Sequence, residues 1–268
     1  MERGLTDAAM FTANGEVVQP SEVLYKKPIL VERGSFRPAT KLTLDLLERA
    51  LEQFREEPSV RGQTPIVLAE MTLRSLTPGP DVAHEDFLAR ADILRTLGLD
   101  VLISRFEPFY QLAEYLAGYT DGLIGIAVGL PTVRQVADER YYTDRPGGVL
   151  ESVGRLFKRS VNYPTPDPVT GQIHTLENTT APPPWQHLTK LLLDIGRVEP
   201  IRSYEESYLS IRTPDVLARI ERDDQTWESM VPPAVAEIVK AKHFFRPQFA
   251  PQRDVPSAES RLSTPPAQ

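Results

Sequence analysis

The stretch PILVERGSFRPATKLTLDLLERALEQF, residues 28–54, decides the fold. It begins with a compact apolar run from Pro28 to Val31 and continues through a polar loop. It ends in a segment whose apolar residues recur at helical spacing, namely Leu47, Ala50, Leu51 and Phe54. The stretch therefore predicts a strand, a polar loop and an amphipathic helix, in that order.

Three more pairs of strand and helix are predicted along the chain. Their strands are Ile66–Ala69, Val101–Ile103 and Ile124–Val128, and their helices are residues 84–97, 109–117 and 131–142. The strands are continuously apolar, which is typical of strands that are buried on both faces. The sequence therefore predicts an α/β fold, in which helices cover both faces of a mostly parallel sheet.

Composition shifts suggest how the chain is organised. Residues 1–27 are predicted as an N-terminal hairpin extension, because Asn14-Gly15 lies between apolar runs and favours a hairpin turn. Residues 28–248 are predicted as one α/β domain, with a proline-rich excursion over 143–184. Residues 249–268 are rich in Pro and Ser and are predicted to be disordered. The later elements are predicted as helices near 148–158, 185–195, 214–222 and 232–243, with possible strands at Val198–Ile201 and Tyr208–Ile211.

Charge and composition narrow the classes of function. The net charge of −7 argues against general affinity for nucleic acid or anionic lipid, so a bound phosphate must meet a local positive site. The chain has no cysteine, and its four histidines are too scattered for a metal motif, so no metal site is predicted. No stretch approaches the roughly 18 apolar residues of a membrane span. We expect a cytoplasmic protein without a membrane segment.

The loop after the first parallel strand is the first candidate site, because ligands of doubly wound sheets bind at the carboxyl ends of the strands. Gly34 lacks the Cβ that would keep a phosphate from the backbone. The following helix offers unpaired N–H groups and a partial positive charge at its N-terminus. A tight turn without any ligand explains the same residues equally well.

The loop residues Gly34-Ser35-Phe36-Arg37-Pro38-Ala39-Thr40-Lys41-Leu42-Thr43 resemble the G-S-F-D-P-x-[HT]-x-G-H segment of nicotinate-nucleotide and pantetheine-phosphate adenylyltransferases. Gly34, Ser35, Phe36, Pro38 and Thr40 fit that pattern. The departures are Arg37 in place of the acid, Leu42 in place of the glycine and Thr43 in place of the second histidine.

A second resemblance lies near the end of the chain. Residues 211–217, IRTPDVL, occupy the place of the family's I-S-S-T-x-I-R nucleotide motif, and residues 230–235, MVPPAV, are similar to its closing helix. Both resemblances imply a Rossmann-like nucleotidylyltransferase fold over most of the chain. The whole chain also resembles the C-terminal part of a longer bacterial family, which implies a possible upstream partner domain or a homo-oligomer.

The resemblance implies a reaction and a set of residues. Enzymes of this family transfer the adenylyl group of ATP, with Mg²⁺, to nicotinate mononucleotide or a similar acceptor, as in NAD biosynthesis. Arg37, Thr40 and Thr43 then stand at the catalytic positions. The nucleotide-binding positions are Gly34, Ser35, Phe36, Ser210, Arg212 and Thr213.

Two functions stay open at this point. Thr43 and Leu217 replace charged donors of the family, and the loss of one such donor costs roughly 3 kcal/mol of transition-state stabilisation. Arg37 and Arg212 are possible compensating cations. The alternative is a catalytically degenerate relative that binds a nucleotide or a phosphorylated small molecule, or that serves as an interaction module.

Several other polar residues have structural explanations beside functional ones. Arginines beyond the predicted strands either form a cationic rim around an anion or pair with nearby glutamates. The arginines are Arg74, Arg105 and Arg134, and the glutamates are Glu32, Glu70 and Glu107. His84-Glu85-Asp86 suggests acid–base chemistry, but acids at a helix start also favour the helix dipole. Trp185 and Trp227 are expected to be packing residues.

Overall fold

The computed structural model describes residues 6–73, 82–130, 132–133, 146–158, 160–169, 172–178 and 183–245. Nine strands lie within these ranges: β1 (Ala8–Phe11), β2 (Val17–Val18), β3 (Ile29–Arg33), β4 (Ile66–Thr72), β5 (Asp100–Ser104), β6 (Ile124–Gly129), β7 (Ser160–Thr165), β8 (Asp167–Val169) and β9 (Gln172–His174). The same ranges contain eight α-helices: α1 (Pro20–Val23), α2 (Lys41–Glu56), α3 (Val82–Thr96), α4 (Phe109–Ala117), α5 (Gly148–Leu156), α6 (Pro183–Asp194), α7 (Thr213–Glu221) and α8 (Pro233–Lys242).

The described strands form one main sheet in the order β2-β1-β5-β4-β3-β6-β7. The five strands from β5 to β7 run parallel, whereas β1 runs antiparallel to β5 and β2 antiparallel to β1. The predicted mostly parallel α/β sheet is therefore confirmed. The predicted hairpin around Asn14-Gly15 also forms, and its strand β1 joins the main sheet beside β5.

Helices cover both faces of the sheet, as the sequence predicts. On one face, α2, α3, α7 and α8 pack against residues such as Leu30, Met71 and Val101. On the other face, α4, α5 and α6 pack against Val31, Leu102 and Ile126. Each parallel strand therefore contributes apolar side chains to the core on both faces of the sheet, which explains why these strands are continuously apolar.

The segment 143–184 differs from its prediction as an excursion. Its residues Ser160–Thr165 form β7, which pairs with β6 over six residues and closes one edge of the main sheet. A proline is tolerated at position 164 because β7 is an edge strand and the Asn162 amide, two residues earlier, points away from β6 to the Arg197 carbonyl, so the missing N–H of Pro164 removes no bond of the β6–β7 ladder. The strands β8 and β9 then pair with each other in antiparallel fashion, in a separate two-stranded sheet.

The late segments with predicted strand character are short. Val198 makes a single bridge to Asn162, and residues 206–208 form a 3₁₀ turn in place of the strand predicted there. Residues 197–201 nevertheless lie along the outer edge of β7, where the Glu199 amide donates to the Asn162 carbonyl and the Ile201 amide to the Pro164 carbonyl. The helix predicted at 131–142 and the tail 249–268 lie outside the described residues, apart from Thr132 and Val133.

Candidate functional site

The strand order places a topological switch point at one edge of the sheet, where a ligand-binding crevice is expected. The chain leaves β3 through α2 and returns through β4 on one side, whereas it reaches β6, on the other side of β3, from β5 through α4. The connections therefore diverge between β3 and β6, and their carboxyl ends form a topological switch point. The loop of residues 34–40 begins there, directly after β3.

Gly34 has a packing role in this loop. Its amide donates to the Glu70 carbonyl at 3.1 Å, and a Cβ added to it would lie 2.9 Å from Cζ of Phe36. Phe36 is buried, and its φ of 47° lies in the left-handed region. The ring of Phe36 thus explains why residue 34 is glycine. The reason expected from the sequence, close approach of a phosphate, is not needed for it.

Thr40 and Thr43 form the N-terminal cap of α2. The Thr40 hydroxyl accepts a hydrogen bond from the Thr43 amide at 3.2 Å, and the two hydroxyl oxygens are also 3.2 Å apart. Thr40 is buried, while Thr43 is partly exposed. The first turn of the helix contains no acidic residue, so its partial positive charge is not offset locally. This helix start is electrostatically suited to an anion.

Arg37 belongs to an ion-pair cluster with α3. Its Nε lies 2.7 Å from Oδ1 of Asp86, which also forms an ion pair with Arg90. Arg90 is buried, and its Nη1 donates to the Ser35 carbonyl at 3.2 Å. Burial lowers the pKa of Arg90, and Asp86 opposes that change. Asp86 thus holds two guanidinium groups against the loop, and it is not a helix cap, because α3 begins at Val82.

The segment 205–216 packs over the same loop. Its Ile211 and Val216 lie in one apolar cluster with Phe36 and Ala39. The Tyr208 ring lies 5.8 Å from Nζ of Lys41, in the first turn of α2. The two segments that carry the family resemblance therefore meet on one side of the fold.

Arg212 reaches from that segment toward β7. Its Nη2 donates to Oδ1 of Asp167 at 2.7 Å, and Asp167 directly follows β7 and Pro166. Ser210 is exposed and donates to the Ser207 carbonyl, and Thr213 is the first residue of α7. The segment 205–216 thus extends along the carboxyl edge of the sheet. It runs from the loop after β3 to the end of β7, past the switch point between β3 and β6.

The glutamates near the strand ends behave differently from one another. Glu70 is fully buried and binds Arg33 through both oxygens, at 2.5 and 3.2 Å. The structural explanation drawn from the sequence pairs the strand-end glutamates with Arg74, Arg105 or Arg134, whereas the partner of Glu70 is Arg33, on the adjacent strand. Arg105 is exposed, and Arg74, Arg134, His84 and the side chain of Glu85 lie outside what the structure describes.

Glu32 is the site residue whose importance sequence reasoning missed. Its Oε2 is enclosed and has no hydrogen-bond partner, although the residue as a whole is partly exposed. Burial raises the pKa of Glu32 to about 8. The available signal was an acid that directly follows three apolar residues of a buried strand.

Metal ligands and cavities complete the description. Within the described ranges, no cluster of three His, Asp or Glu side chains could hold a metal ion. A cavity of about 40 Å³ lies between β6, α5 and α6, where Trp185 and Asn162 line it. A larger groove of about 590 Å³ follows β7, with Thr165, Arg202 and Tyr204 among its lining residues. Trp227 is buried in the core, as predicted.

None of the described helices is both long enough and apolar enough to span a membrane.

Comparisons with known proteins give the following results. No known protein family matches the sequence, and no curated protein matches it. A solved structure from Vibrio parahaemolyticus, named provisionally as a nicotinate-nucleotide adenylyltransferase, is similar over 82% of this chain and 95% of its own, with 13% identity and a TM-score of 0.44. A glucose-6-phosphate dehydrogenase in complex with glucose-6-phosphate is similar over 76% of this chain and 42% of its own, with 11% identity and a TM-score of 0.31. The α/β fold assigned to this chain rests on its own strand order and not on either similarity.

Proposed function

We propose that this protein is a nucleotidyltransferase that binds ATP in the crevice between the carboxyl ends of β3 and β6. The acceptor is nicotinate mononucleotide or a similar phosphorylated molecule. One observation carries the proposal: the loop of residues 34–40 follows the central strand at the switch point, and the segment 205–216 packs over that loop.

In the proposed reaction, a phosphate oxygen of the acceptor attacks the α-phosphorus of ATP. The bond between the α-phosphorus and its bridging oxygen breaks, and pyrophosphate leaves. Catalysis of this kind consists mainly of positioning the reactants and neutralising charge on the phosphates. In this proposal Mg²⁺ enters as part of the MgATP substrate.

The residues near the crevice suggest distinct roles in that reaction. The N–H groups at the start of α2 and the Thr43 hydroxyl are suited to phosphate oxygens. Arg37 and Arg212 are the candidate cations, and each shares its charge with an aspartate. A cation that is already paired neutralises developing charge less well, so we expect slow turnover.

The same ion pairs favour a second candidate function, in which the protein binds a nucleotide or phosphorylated small molecule without turnover. Arg37 is held by Asp86, Arg212 by Asp167, and the Thr40 hydroxyl caps α2. These contacts stabilise the fold whether or not a ligand is bound. They would suffice for a rigid binding module.

An assay of pyrophosphate release from MgATP and nicotinate mononucleotide distinguishes the two functions. We expect release with the wild-type protein and a loss of about tenfold or more in Arg37→Ala. Arg155→Ala is the matched control, because Arg155 also forms ion pairs, with Glu114 and Glu151, but on α5 away from the crevice. MgATP binding without turnover would leave the binding module. No binding at all would overturn both functions.

A further inference from the structure

Glu32 lies at the carboxyl end of β3 on the same face as α2. Leu30, two residues earlier, packs in the core that α2 covers, and side chains alternate along a strand. The neighbours of Glu32 in register are Ala69 on β4 and Ala127 on β6. Both neighbours are small and apolar, so neither provides a polar partner, and Glu32 is the next-to-last residue of β3, close to the carboxyl edge of the sheet.

The charged groups around Glu32 are engaged with other residues. Arg33 points to the opposite face, where it binds Glu70, and Arg37 is paired with Asp86. Lys41, at the start of α2, lies over the Tyr208 ring, and Arg212 is paired with Asp167. The remaining titratable group in register is Tyr163 on β7, whose hydroxyl donates to Glu57 at 3.1 Å.

The environment of Glu32 favours its neutral form. Burial is the only cause of its raised pKa, and no charged side chain contributes. At pH 7 the carboxyl group therefore keeps its proton and is a hydrogen-bond donor. An enclosed acid without a partner is unusual, since buried polar groups are almost always satisfied. The Oε2 atom of Glu32 is enclosed in this way and has no hydrogen-bond partner among the described residues.

A phosphate oxygen is a suitable acceptor for that donor. A phosphate placed at the start of α2 would approach the face of the sheet that carries Glu32. An ionised carboxylate there would repel the phosphate, whereas a protonated carboxyl would bind it and would hold its own proton more tightly in the field of the anion.

We propose that Glu32 takes part in nucleotide binding by donating a hydrogen bond from its carboxyl group to a phosphate oxygen. This inference rests on the proposed function, because it requires a nucleotide in the crevice. It adds a residue outside the motif positions, and it assigns that residue a proton that must be present for binding.

The test is calorimetric titration of the protein with MgATP at pH 7 and at pH 9. Nucleotide phosphates are already ionised across this range, since their last pKa is about 6. A group that must be protonated and that has a pKa of about 8 predicts binding about tenfold weaker at pH 9 than at pH 7. Glu32→Gln keeps a hydrogen-bond donor but cannot ionise. We therefore expect its affinity for MgATP to change by less than about twofold between pH 7 and pH 9.

Glu57→Gln is the matched control, because burial also raises the pKa of Glu57, which lies just after the far end of α2. This variant should keep the wild-type dependence on pH. The inference is overturned if the wild type binds MgATP equally well or better at pH 9, or if Glu32→Gln binds more than tenfold more weakly than wild type at pH 7. Either result would leave the proposed function standing, whereas absence of MgATP binding by the wild type would overturn both.

Discussion

Glu32 and Arg33 are consecutive residues of one strand, yet they have opposite environments. Arg33 makes a complete set of contacts: both oxygens of Glu70, the carbonyls of Glu107 and Phe106 at 2.6 and 2.7 Å, and the Phe109 ring at 4.4 Å. Glu70 also accepts from the Ser104 hydroxyl at 2.5 Å. Glu32, on the other face, has an enclosed oxygen without any partner.

This difference indicates that Arg33 is a charge that stabilises the fold, whereas Glu32 is a polar group that is available to a ligand. Breaking a buried pair is costly, so the Arg33 contacts join β3, β4 and the segment after β5 and leave little for a ligand. Burial of Glu32 costs the folded state stability, and its Oε2 receives no compensating hydrogen bond from the residues that the structure describes. A polar group kept under those conditions is a candidate for ligand contact.

The largest effect is expected from Glu70→Ala, which leaves the Arg33 side chain, only 13% exposed, without its acid. We expect the free energy of unfolding to fall by about 3–5 kcal/mol, measured by urea denaturation. In the control Glu114→Ala, which breaks the exposed pair with Arg155, the loss should stay below about 1 kcal/mol. Equal losses in the two variants would remove the distinction between a buried structural pair and a surface pair.

The next effect concerns the dependence of stability on pH at Glu32. Its folded-state pKa of about 8 exceeds the ordinary value of 4.5, so the folded state binds more protons between these values. Stability should therefore fall as the pH rises from about 5 to 8, by roughly 3 kcal/mol relative to Glu32→Gln. Parallel unfolding profiles for wild type and Glu32→Gln across this range would show that Glu32 is ionised and solvated.

Asp86→Asn tests whether Arg37 and Arg90 can interact with a ligand once their ion pairs with Asp86 are removed. Removal of the shared charge leaves Arg37 and Arg90 near each other without their acid, which should cost about 2 kcal/mol of stability. The same change should tighten MgATP binding at low salt, because both guanidinium groups then lack a competing anion. Calorimetry in 50 mM and 500 mM salt measures this effect, and unchanged affinity at both would place Arg37 outside the site.

A smaller effect is expected from the helix cap. Thr40→Ala removes the hydroxyl that accepts from the Thr43 amide, and we expect a loss of about 1 kcal/mol in the free energy of unfolding. Thr40→Ser retains the cap and should stay close to wild type. If Thr40→Ala affects MgATP binding far more than stability, the hydroxyl contacts the ligand in addition to capping α2.

Much of the fold follows from local sequence patterns. Four runs are apolar enough to predict buried parallel strands. These runs are Ile29–Val31, Ile66–Ala69, Val101–Ile103 and Ile124–Val128. The strand β7 was not predicted, because SVNYPT has no apolar run and contains a proline. It becomes a strand through its tertiary neighbours, β6 on one side and the segment 197–201 on the other.

The candidate site could be located from the sequence but not described in detail. The position of Gly34 after the first parallel strand predicts a site at the carboxyl edge of the sheet, and the loop that contains Gly34 begins at the switch point between β3 and β6. The ion pairs of Arg37 with Asp86 and of Arg212 with Asp167 join distant parts of the chain, so local patterns carry no information about them. The enclosure of Glu32 likewise depends on Ala69 and Ala127, which become neighbours only in the folded sheet.

The most direct test of the central claim is a titration of the isotopically labelled protein with MgATP, followed by amide chemical shifts in NMR spectra. The account predicts the largest changes at Ser35 and Phe36, at the first turn of α2, and at residues 210–213. Amides at the opposite edge of the sheet, such as Gly122, should not move. Changes confined to the opposite edge, or to the groove along β7, would contradict a nucleotide site at the carboxyl ends of β3 and β6.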